Sequence, residues 1–193
     1  MELIVARPMP VPSEPVGIHE YIKVASTRDT EFLDITDSLE MLVARAGIGV
    51  GYLNVQVLHT TTSLVVNEAE PLLFRDFART LDGVAPLKAS YEHDRFERRT
   101  VNLTPGERVN GHAHCRALVL NSSVCLNIAD SRLVKGRWQR VFMVELDGPQ
   151  TRTLSAVLVG RPAAAAAVRR RTSQTESRFR EALGPSTSLG TGR

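Results

Sequence analysis

The feature that most constrains the fold is a strand whose apolar face turns polar halfway along its length. Residues 53–68 read LNVQVLHTTTSLVVNE, and the first half alternates like a strand with one buried face. The same parity then places His59, Thr61 and Ser63 where further core residues would follow. We interpret the stretch as one strand that ends in a polar pocket at the edge of a core. A hydroxyl-rich exposed edge strand is the alternative.

The length and composition fit a single globular domain. The chain has 193 residues, of which 42% are hydrophobic and 23% are charged. Its basic charge is concentrated at the end, because residues 161–193 hold seven arginines against two glutamates and carry +5, whereas residues 1–160 sum to −2. A slightly acidic body does not match a phosphate backbone, so we do not expect a nucleic-acid partner.

The sequence predicts a cytoplasmic protein. Its beginning has no basic segment followed by a long apolar one, and no apolar run reaches the ~18 residues that span a bilayer. The two cysteines, Cys115 and Cys125, form no CxxC motif or disulfide framework. This cysteine usage is typical of a reducing compartment.

Three segments are predicted along the chain. Residues 1–17 contain four prolines and read as an extended arm, residues 18–160 form the domain, and residues 161–193 form a flexible tail rich in Arg and Ala. Within the domain, helices are expected from a cap at Thr36 or Asp37 to a C-cap at Gly47, over 71–82 and over 110–120. Besides the central stretch, strands are expected over 19–27, 31–35, 123–128, 137–145 and 151–159.

Histidines in polar surroundings are the candidates for chemistry. His112 and His114 are two residues apart at a predicted helix start, and His93 lies between two acidic residues. Such a set fits an imidazole-rich metal site with an open position, or a phosphate site at the helix N-terminus. Glu68 and Asp94 are candidate acid–base or metal-bound carboxylates, and the alternative for each is a solvated loop charge.

Four motifs in order resemble the small YjbQ family, which is associated with secondary thiamine-phosphate synthase activity. They are HTTTSLVVNEAEP, YEHD, NGHAHCRALVLNSSVCLNI and GRWQRVFMVELDGPQTR, and the resemblance runs over residues 19–160. Ser131 stands where the family usually has glycine, in a turn that contains no candidate ligand. The arm and the tail lie outside the resemblance.

The resemblance implies an α+β fold: a sandwich-like core of mixed or antiparallel sheets with about three covering helices, assembled as a homotrimer. It also implies a pocket with a divalent metal, zinc or magnesium, and a small phosphorylated metabolite as substrate. The implied metal ligands are His59, His93 and His114, and Glu68 and Asp94 orient the metal or transfer protons. The implied substrate-binding residues are Thr60, Thr61, Ser63, Asn67 and Trp138.

The implied reaction joins a pyrimidine-methyl diphosphate to a thiazole phosphate and releases pyrophosphate. Three imidazoles are unusual ligands for Mg²⁺, which prefers oxygen, and this favours zinc or a different reaction. Two alternatives therefore stay open. One is a metal-dependent hydrolase of a phosphorylated metabolite, and the other is a non-catalytic trimeric protein that binds a metal or a metabolite.

Overall fold

Two antiparallel sheets provide the framework of the protein. The computed structural model describes residues 14–163. The elements there are β1 (Val16–Ala25), β2 (Glu31–Asp34), α1 (Thr36–Ala46), β3 (Ile48–Val57), β4 (Thr62–Glu68), α2 (Pro71–Val84), a 3-10 turn (Glu92–Asp94), α3 (Gly111–Leu118), β5 (Ser123–Ala129), β6 (Arg132–Leu133), β7 (Gln139–Glu145) and β8 (Thr151–Pro162). The predicted α+β class, with sandwich-like antiparallel sheets and three helices, is confirmed.

The two sheets face each other across the larger hydrophobic core. Sheet A has the strand order β1-β8-β3-β5-β6, and sheet B has the order β2-β7-β4. Every second side chain of β3 and β8 points into this core, where Leu53, Val55, Leu154 and Leu158 have no exposed surface. Period-two alternation therefore places one face of sheet A inside and leaves the other outside.

The central stretch is two strands in different sheets, so the prediction of one continuous strand over 53–68 is wrong. The chain leaves sheet A after Val57 and enters sheet B at Thr62. The first strand pairs with β5 and β8, whereas the second pairs with β7 from Thr62 to Glu68. The connecting residues 58–61 therefore lie where the two sheets meet, and this is the edge of the core that the polar residues indicate.

The helices begin and end close to the predicted positions. Gly47 has a φ of +66° and ends α1, as its lack of a side chain allows. Thr36 does not cap α1, because its hydroxyl is buried and accepts the backbone N–H of Val141 at 2.7 Å. Glu70 caps α2 by accepting the N–H groups of Leu72 and Leu73 at 2.9 and 2.7 Å.

The outer face of sheet B carries a second, smaller core formed with α2 and α3. Its buried members are Leu81, Ala113, Val144 and Leu146. The first core includes Leu39, Leu42 and Val43 of α1. Sheet B is thus covered on both faces, and the packing of α3 against it brings the histidines of α3 beside β4.

The first and last strands extend beyond the predicted bounds of the domain. β1 begins at Val16, which pairs with Gly160 of β8, and β8 continues to Pro162, which pairs with Ile48 of β3. The short strand β6, which the sequence did not predict, pairs with β5. Residues 1–13 and 164–193 lie outside the described residues, so the predicted arm and tail stay predictions for them.

Replacing Gly51 with alanine is expected to lower the free energy of unfolding by about 1–3 kcal/mol, as overpacking does. Gly51 lies opposite Gly160 in the β3–β8 ladder, and a Cβ there would meet the carbonyl of Val159 and lie 2.6 Å from the Cα of Gly160. Urea denaturation measures the change. Gly17→Ala in β1 is the control, since its Cβ would have no atom within 4 Å and should shift stability by about 0.5 kcal/mol or less. Equal losses for both would contradict the steric explanation.

Candidate functional site

A pocket of about 520 Å³ lies between the β3–β4 connection and α3. Its lining residues are Gln56, Val57, Leu58, His59, Thr60, Thr62, Ser63, His114, Ala117, Leu118 and Ser122. Four residues predicted for the site therefore meet in one cavity: His59, Thr60, Ser63 and His114. Thr62, which belongs to the predicted phosphate-binding run from Thr60 to Ser63, lines the cavity as well.

His59 is fixed by a hydrogen bond to the neighbouring strand. Its Nε2 accepts the backbone N–H of Thr153, the third residue of β8, at 2.9 Å. The proton of the neutral ring is therefore on Nδ1. Burial lowers the pKa of His59, and the nearby charge of Arg152 lowers it further, with Glu145 opposing. His59 is consequently a neutral imidazole at pH 7, with Nδ1–H as its available donor.

The hydroxyl residues after His59 divide into two groups. Thr61 is buried, and its Oγ1 accepts a hydrogen bond from Arg152 at 3.2 Å, so this side chain contacts the interior and is not part of the pocket lining. Thr62 and Ser63 do line the pocket and are 2% and 1% exposed, and their hydroxyls have no hydrogen-bond partner among residues 14–163. A buried hydroxyl without a partner is costly, so these two groups fit a ligand or bound water.

Asp94 caps α3 in this structure. Its Oδ1 accepts the backbone N–H groups of Asn110 and Gly111 at 3.0 and 2.8 Å. A Cβ on Gly111 would lie 2.8 Å from Cγ of Tyr91, so only glycine lets the segment with Asp94 approach the helix so closely. The N–H donors suggested for a phosphate at this helix start are therefore already bound to a carboxylate.

His93 and His114 lie side by side next to an ion pair. Their ring centroids are 4.5 Å apart, and His93 Nε2 lies 3.7 Å from Glu107 Oε1, which also binds Arg99. The Nε2 of His93 is buried and has no hydrogen-bond partner. Burial lowers the pKa of His114, and the neighbouring His93 lowers it further. Both causes favour the neutral form of His114.

The three histidines do not form a metal site within the described chain. Among residues 14–163, no group of three His, Cys, Asp or Glu side chains is close enough to hold an ion. His93 and His114 are adjacent, but the Nε2 lone pair of His59 is directed at Thr153. The residues thus supply an imidazole pair, and not the three-ligand centre that a catalytic zinc needs.

The other predicted site residues lie at the far end of β4. Glu68 is six residues beyond Thr62, which corresponds to about 20 Å along a strand. Asn67 and Glu68 are exposed, and the side chain of Asn67 accepts the N–H of Glu68 at 2.9 Å. Trp138 precedes β7 at the same end, is 61% exposed, and stacks with the guanidinium of Arg137. None of these three residues lines the pocket.

A buried ion pair behind the pocket was missed by the sequence analysis. Glu145 has no exposed surface, and its carboxylate binds Arg152 through two hydrogen bonds of 2.6 and 2.5 Å. Burial alone would raise the pKa of Glu145, but the hydrogen bonds from Arg152, Asp147 and Leu146 outweigh it and leave that pKa low. The available signal was a glutamate inside the apolar run VFMVEL, since a buried carboxylate needs a partner.

Unpartnered buried polar atoms are concentrated around the pocket and the start of α3. Among the described residues, five buried side-chain atoms lack a hydrogen-bond partner. They are Thr62 Oγ1, Ser63 Oγ, His93 Nε2, Asn110 Oδ1 and His112 Nε2. His112, which the sequence analysis left out of the site, is thus part of this cluster. Buried polar groups are normally paired, so their clustering marks this region as the candidate functional site.

We expect the free energy of unfolding to fall as the pH drops from 7 to 5. Burial lowers the pKa of His59, His112 and His114 below the ordinary 6.5 in the folded protein. The unfolded chain therefore binds more protons below pH 6.5, and stability present above that value is lost on acidification. Urea denaturation at several pH values measures the slope. His114→Gln should reduce it, and an equal slope in this variant would contradict the assignment.

Similar proteins of known structure share the fold over nearly their whole length. A crystal structure of a YjbQ-like protein from Sulfolobus solfataricus P2 superposes with a TM-score of 0.68 at 30% identity, covering 77% of this chain and 100% of that one. A hypothetical protein from Aeropyrum pernix K1 gives a TM-score of 0.66 at 30% identity, with 75% and 99% covered.

Sequence relatives carry the same family description. UPF0047 proteins from Archaeoglobus fulgidus and Methanothermobacter thermautotrophicus are 33% and 30% identical over 132 and 141 residues. These alignments cover 68% and 73% of this chain and 93% and 91% of the relatives. The family model described as UPF0047 protein YjbQ-like matches residues 20–161. The chain therefore belongs to the YjbQ-like UPF0047 family.

Proposed function

We propose that the pocket is a catalytic site for a small phosphorylated metabolite, and that thiamine-phosphate formation is the reaction to test first. The observation that carries this proposal is the pair of buried, unpartnered hydroxyls of Thr62 and Ser63 at the pocket wall. Hydroxyl donors held in place without a protein partner suit phosphate oxygens, which are strong acceptors. The reaction itself comes from the family resemblance.

Each polar group of the pocket has a definite role in this proposal. The hydroxyls of Thr62 and Ser63 and the Nδ1–H of His59 donate to phosphate oxygens. The neutral His114 accepts or donates a proton at the pocket wall. In the synthase reaction, the bond between the pyrimidine methylene and the diphosphate oxygen breaks, and the thiazole nitrogen bonds to that carbon. The donors stabilise the charge that collects on the departing pyrophosphate.

The cation belongs with the substrate in this proposal. The lining residues of the pocket, as described for residues 14–163, include no lysine or arginine to balance a diphosphate. Within residues 14–163, one chain also offers no three-ligand centre. Mg²⁺ prefers oxygen ligands and commonly enters sites on substrate phosphates, so a magnesium–diphosphate complex fits this lining better than a resident zinc.

A metal-assisted hydrolase of a phosphorylated metabolite is the second candidate. It is favoured by the low pKa of His114, since a neutral imidazole can accept a proton from an attacking water. The same donors would then hold the phosphate of a different substrate. A binding protein without turnover would use the pocket in the same way, with no chemical step.

Homotrimer formation is part of the proposal. The outer face of sheet A exposes Tyr21, Val50 and Tyr52, and large exposed apolar side chains on one sheet face suit contact with further copies. No helix in the described part of the chain is long and apolar enough to cross a membrane.

Light scattering on the purified full chain should give three times the mass of one chain. A monomer would contradict this part of the proposal.

Thr62→Val is expected to separate stability from activity. It removes a buried hydroxyl without a partner, so the free energy of unfolding should stay equal or rise by about 1 kcal/mol. Activity should fall about 10–100-fold because a phosphate donor is lost. Thiamine-phosphate formation from the two half-molecules, with Mg²⁺ and with EDTA, is measured beside chemical denaturation. Ser63→Ala should behave alike.

Two controls make this experiment decisive. Thr80→Val, on the exposed side of α2, removes a hydroxyl remote from the pocket and should leave activity unchanged. His114→Ala, measured as a separate variant, should lower activity as Thr62→Val does. If the wild type forms no thiamine phosphate but hydrolyses members of a phosphoester panel, the hydrolase replaces the synthase. No turnover of either kind overturns the catalytic proposal.

A further inference from the structure

The two walls of the pocket are joined by one buried carboxylate. Glu145 is the last residue of β7, and besides Arg152 it binds the N–H groups of Leu146 and Asp147 at 3.0 and 2.9 Å and the hydroxyl of Ser26 at 3.2 Å. Its oxygens therefore hold the backbone that follows β7. They also hold the side chain of Arg152 in β8.

Arg152 connects this carboxylate to the β4 wall. One guanidinium nitrogen donates to both Glu145 and the Oγ1 of Thr61, at 2.5 and 3.2 Å. The next residue, Thr153, donates its N–H to His59, and the N–H of Leu146 also reaches the carbonyl of Thr61 at 3.3 Å. His59 and Thr61 are thus held from one short segment of β8 and one short segment after β7.

The same carboxylate connects to the α3 wall. Asp147, whose N–H is bound by Glu145, accepts a hydrogen bond from the side chain of Asn110 at 2.9 Å and pairs with Arg108 at 2.9 Å. Asn110 directly precedes α3, the helix that carries His114. The position of His114 therefore depends on the backbone that Glu145 fixes.

We propose that the buried Glu145–Arg152 pair is a positioning unit that sets the β4 wall and the α3 wall of the pocket relative to each other. Neither residue lines the pocket, so the pair acts through Thr61 and through Asp147. The inference rests on the proposed function only in taking this pocket as the site. It assigns a role to two residues that the reaction itself does not involve.

The chemistry of the pair fits positioning better than stabilisation. A fully buried ion pair contributes little net stability, because removing both charges from water offsets their attraction. A guanidinium, however, presents several donors in a fixed plane, and it can hold a carboxylate and a hydroxyl at once. Lysine has no such fork, so Arg152→Lys keeps the charge but loses the simultaneous contact with Thr61.

The test compares three perturbations of the link between the pair and the pocket: Thr61→Val, Arg152→Lys and a double variant. Thr61→Val removes the hydroxyl that Arg152 holds, whereas Thr61→Ser keeps it. The double variant Glu145→Gln/Arg152→Met removes both charges and keeps an acceptor for the N–H groups of Leu146 and Asp147. Arg140→Leu is the matched control, because Arg140 pairs with Asp34 and Asp37 away from the pocket.

Inorganic phosphate is the probe, and nuclear magnetic resonance is the readout. Phosphate titration follows the amides of Thr62 and Ser63, and the ring ¹⁵N resonances of His59 report which nitrogen carries the proton. We expect Thr61→Val, Arg152→Lys and the double variant to fold, to bind phosphate about tenfold more weakly, and to lose the single Nδ1–H pattern of His59. Thr61→Ser should keep the phosphate affinity and the His59 pattern of the wild type. Arg140→Leu should lower the free energy of unfolding and change neither readout.

The outcomes separate this inference from the proposed function. If the wild type makes no thiamine phosphate, the proposed reaction fails, but the ring resonances of His59 still test the pair. Should the folded double variant and Thr61→Val keep wild-type phosphate binding and the His59 pattern, the pair is only structural and the inference is overturned. If the double variant does not fold, Thr61→Val against Thr61→Ser decides by the same two readouts.

Discussion

The structure depends on how a fully buried carboxylate is compensated. Glu145 has no contact with solvent, so its charge requires partners within the protein. Arg152 supplies two hydrogen bonds, and the chain that follows Glu145 supplies two backbone N–H groups. Because these partners come from β8 and from the residues after β7, satisfying the charge ties sheet A to sheet B. That junction is where the pocket lies.

The crossing between the sheets explains why polar residues gather at this point. The chain must leave sheet A after Val57 and join sheet B at Thr62, so residues 58–61 cannot continue either ladder. Their backbone and side chains need other partners. His59 finds one in the N–H of Thr153 and Thr61 finds one in Arg152, whereas the hydroxyls of Thr62 and Ser63 find none. The junction therefore has a fixed frame and two free donors.

Local patterns predicted the elements well, and long-range pairing was the main source of error. The glycine that ends α1 and the Glu70–Pro71 start of α2 have local physical causes, and both are where the sequence placed them. The sequence of residues 53–68 contains no mark of a change of sheet, because the apolar residues of both segments are compatible with one strand. Only pairing with β7 or β8, some 70 to 105 residues along the chain, decides the sheet. The tiny β6 also depends on its neighbour, and not on its own sequence.

The candidate site shows the same division between local and long-range information. The run of hydroxyls after His59 indicated a polar pocket, and His114 joins it in one cavity. Residue types did not reveal which hydroxyls are paired, because Thr61 and Thr62 are the same residue and only the fold gives Thr61 a donor in Arg152 and leaves the hydroxyl of Thr62 without a partner among the described residues. Similarly, the acidic motif around His93 did not show that Asp94 caps α3. These are tertiary contacts, and no spacing rule contains them.

The distance along β4 limits what one chain can do by itself. Asn67, Glu68 and Trp138 lie at the end of the sheet remote from the pocket, and Glu68 is about 20 Å from Thr62 by strand geometry. A small phosphorylated metabolite bound as proposed by Thr62 and Ser63 would not reach Glu68. The exposure of the three residues at that remote end leaves them free to contact something outside the chain, and Trp138 beside Arg137 is a large, amphipathic contact surface. In the proposed reaction, any role of these three residues therefore requires a second chain or a larger ligand, whereas the role proposed for the His59–Ser63 wall does not.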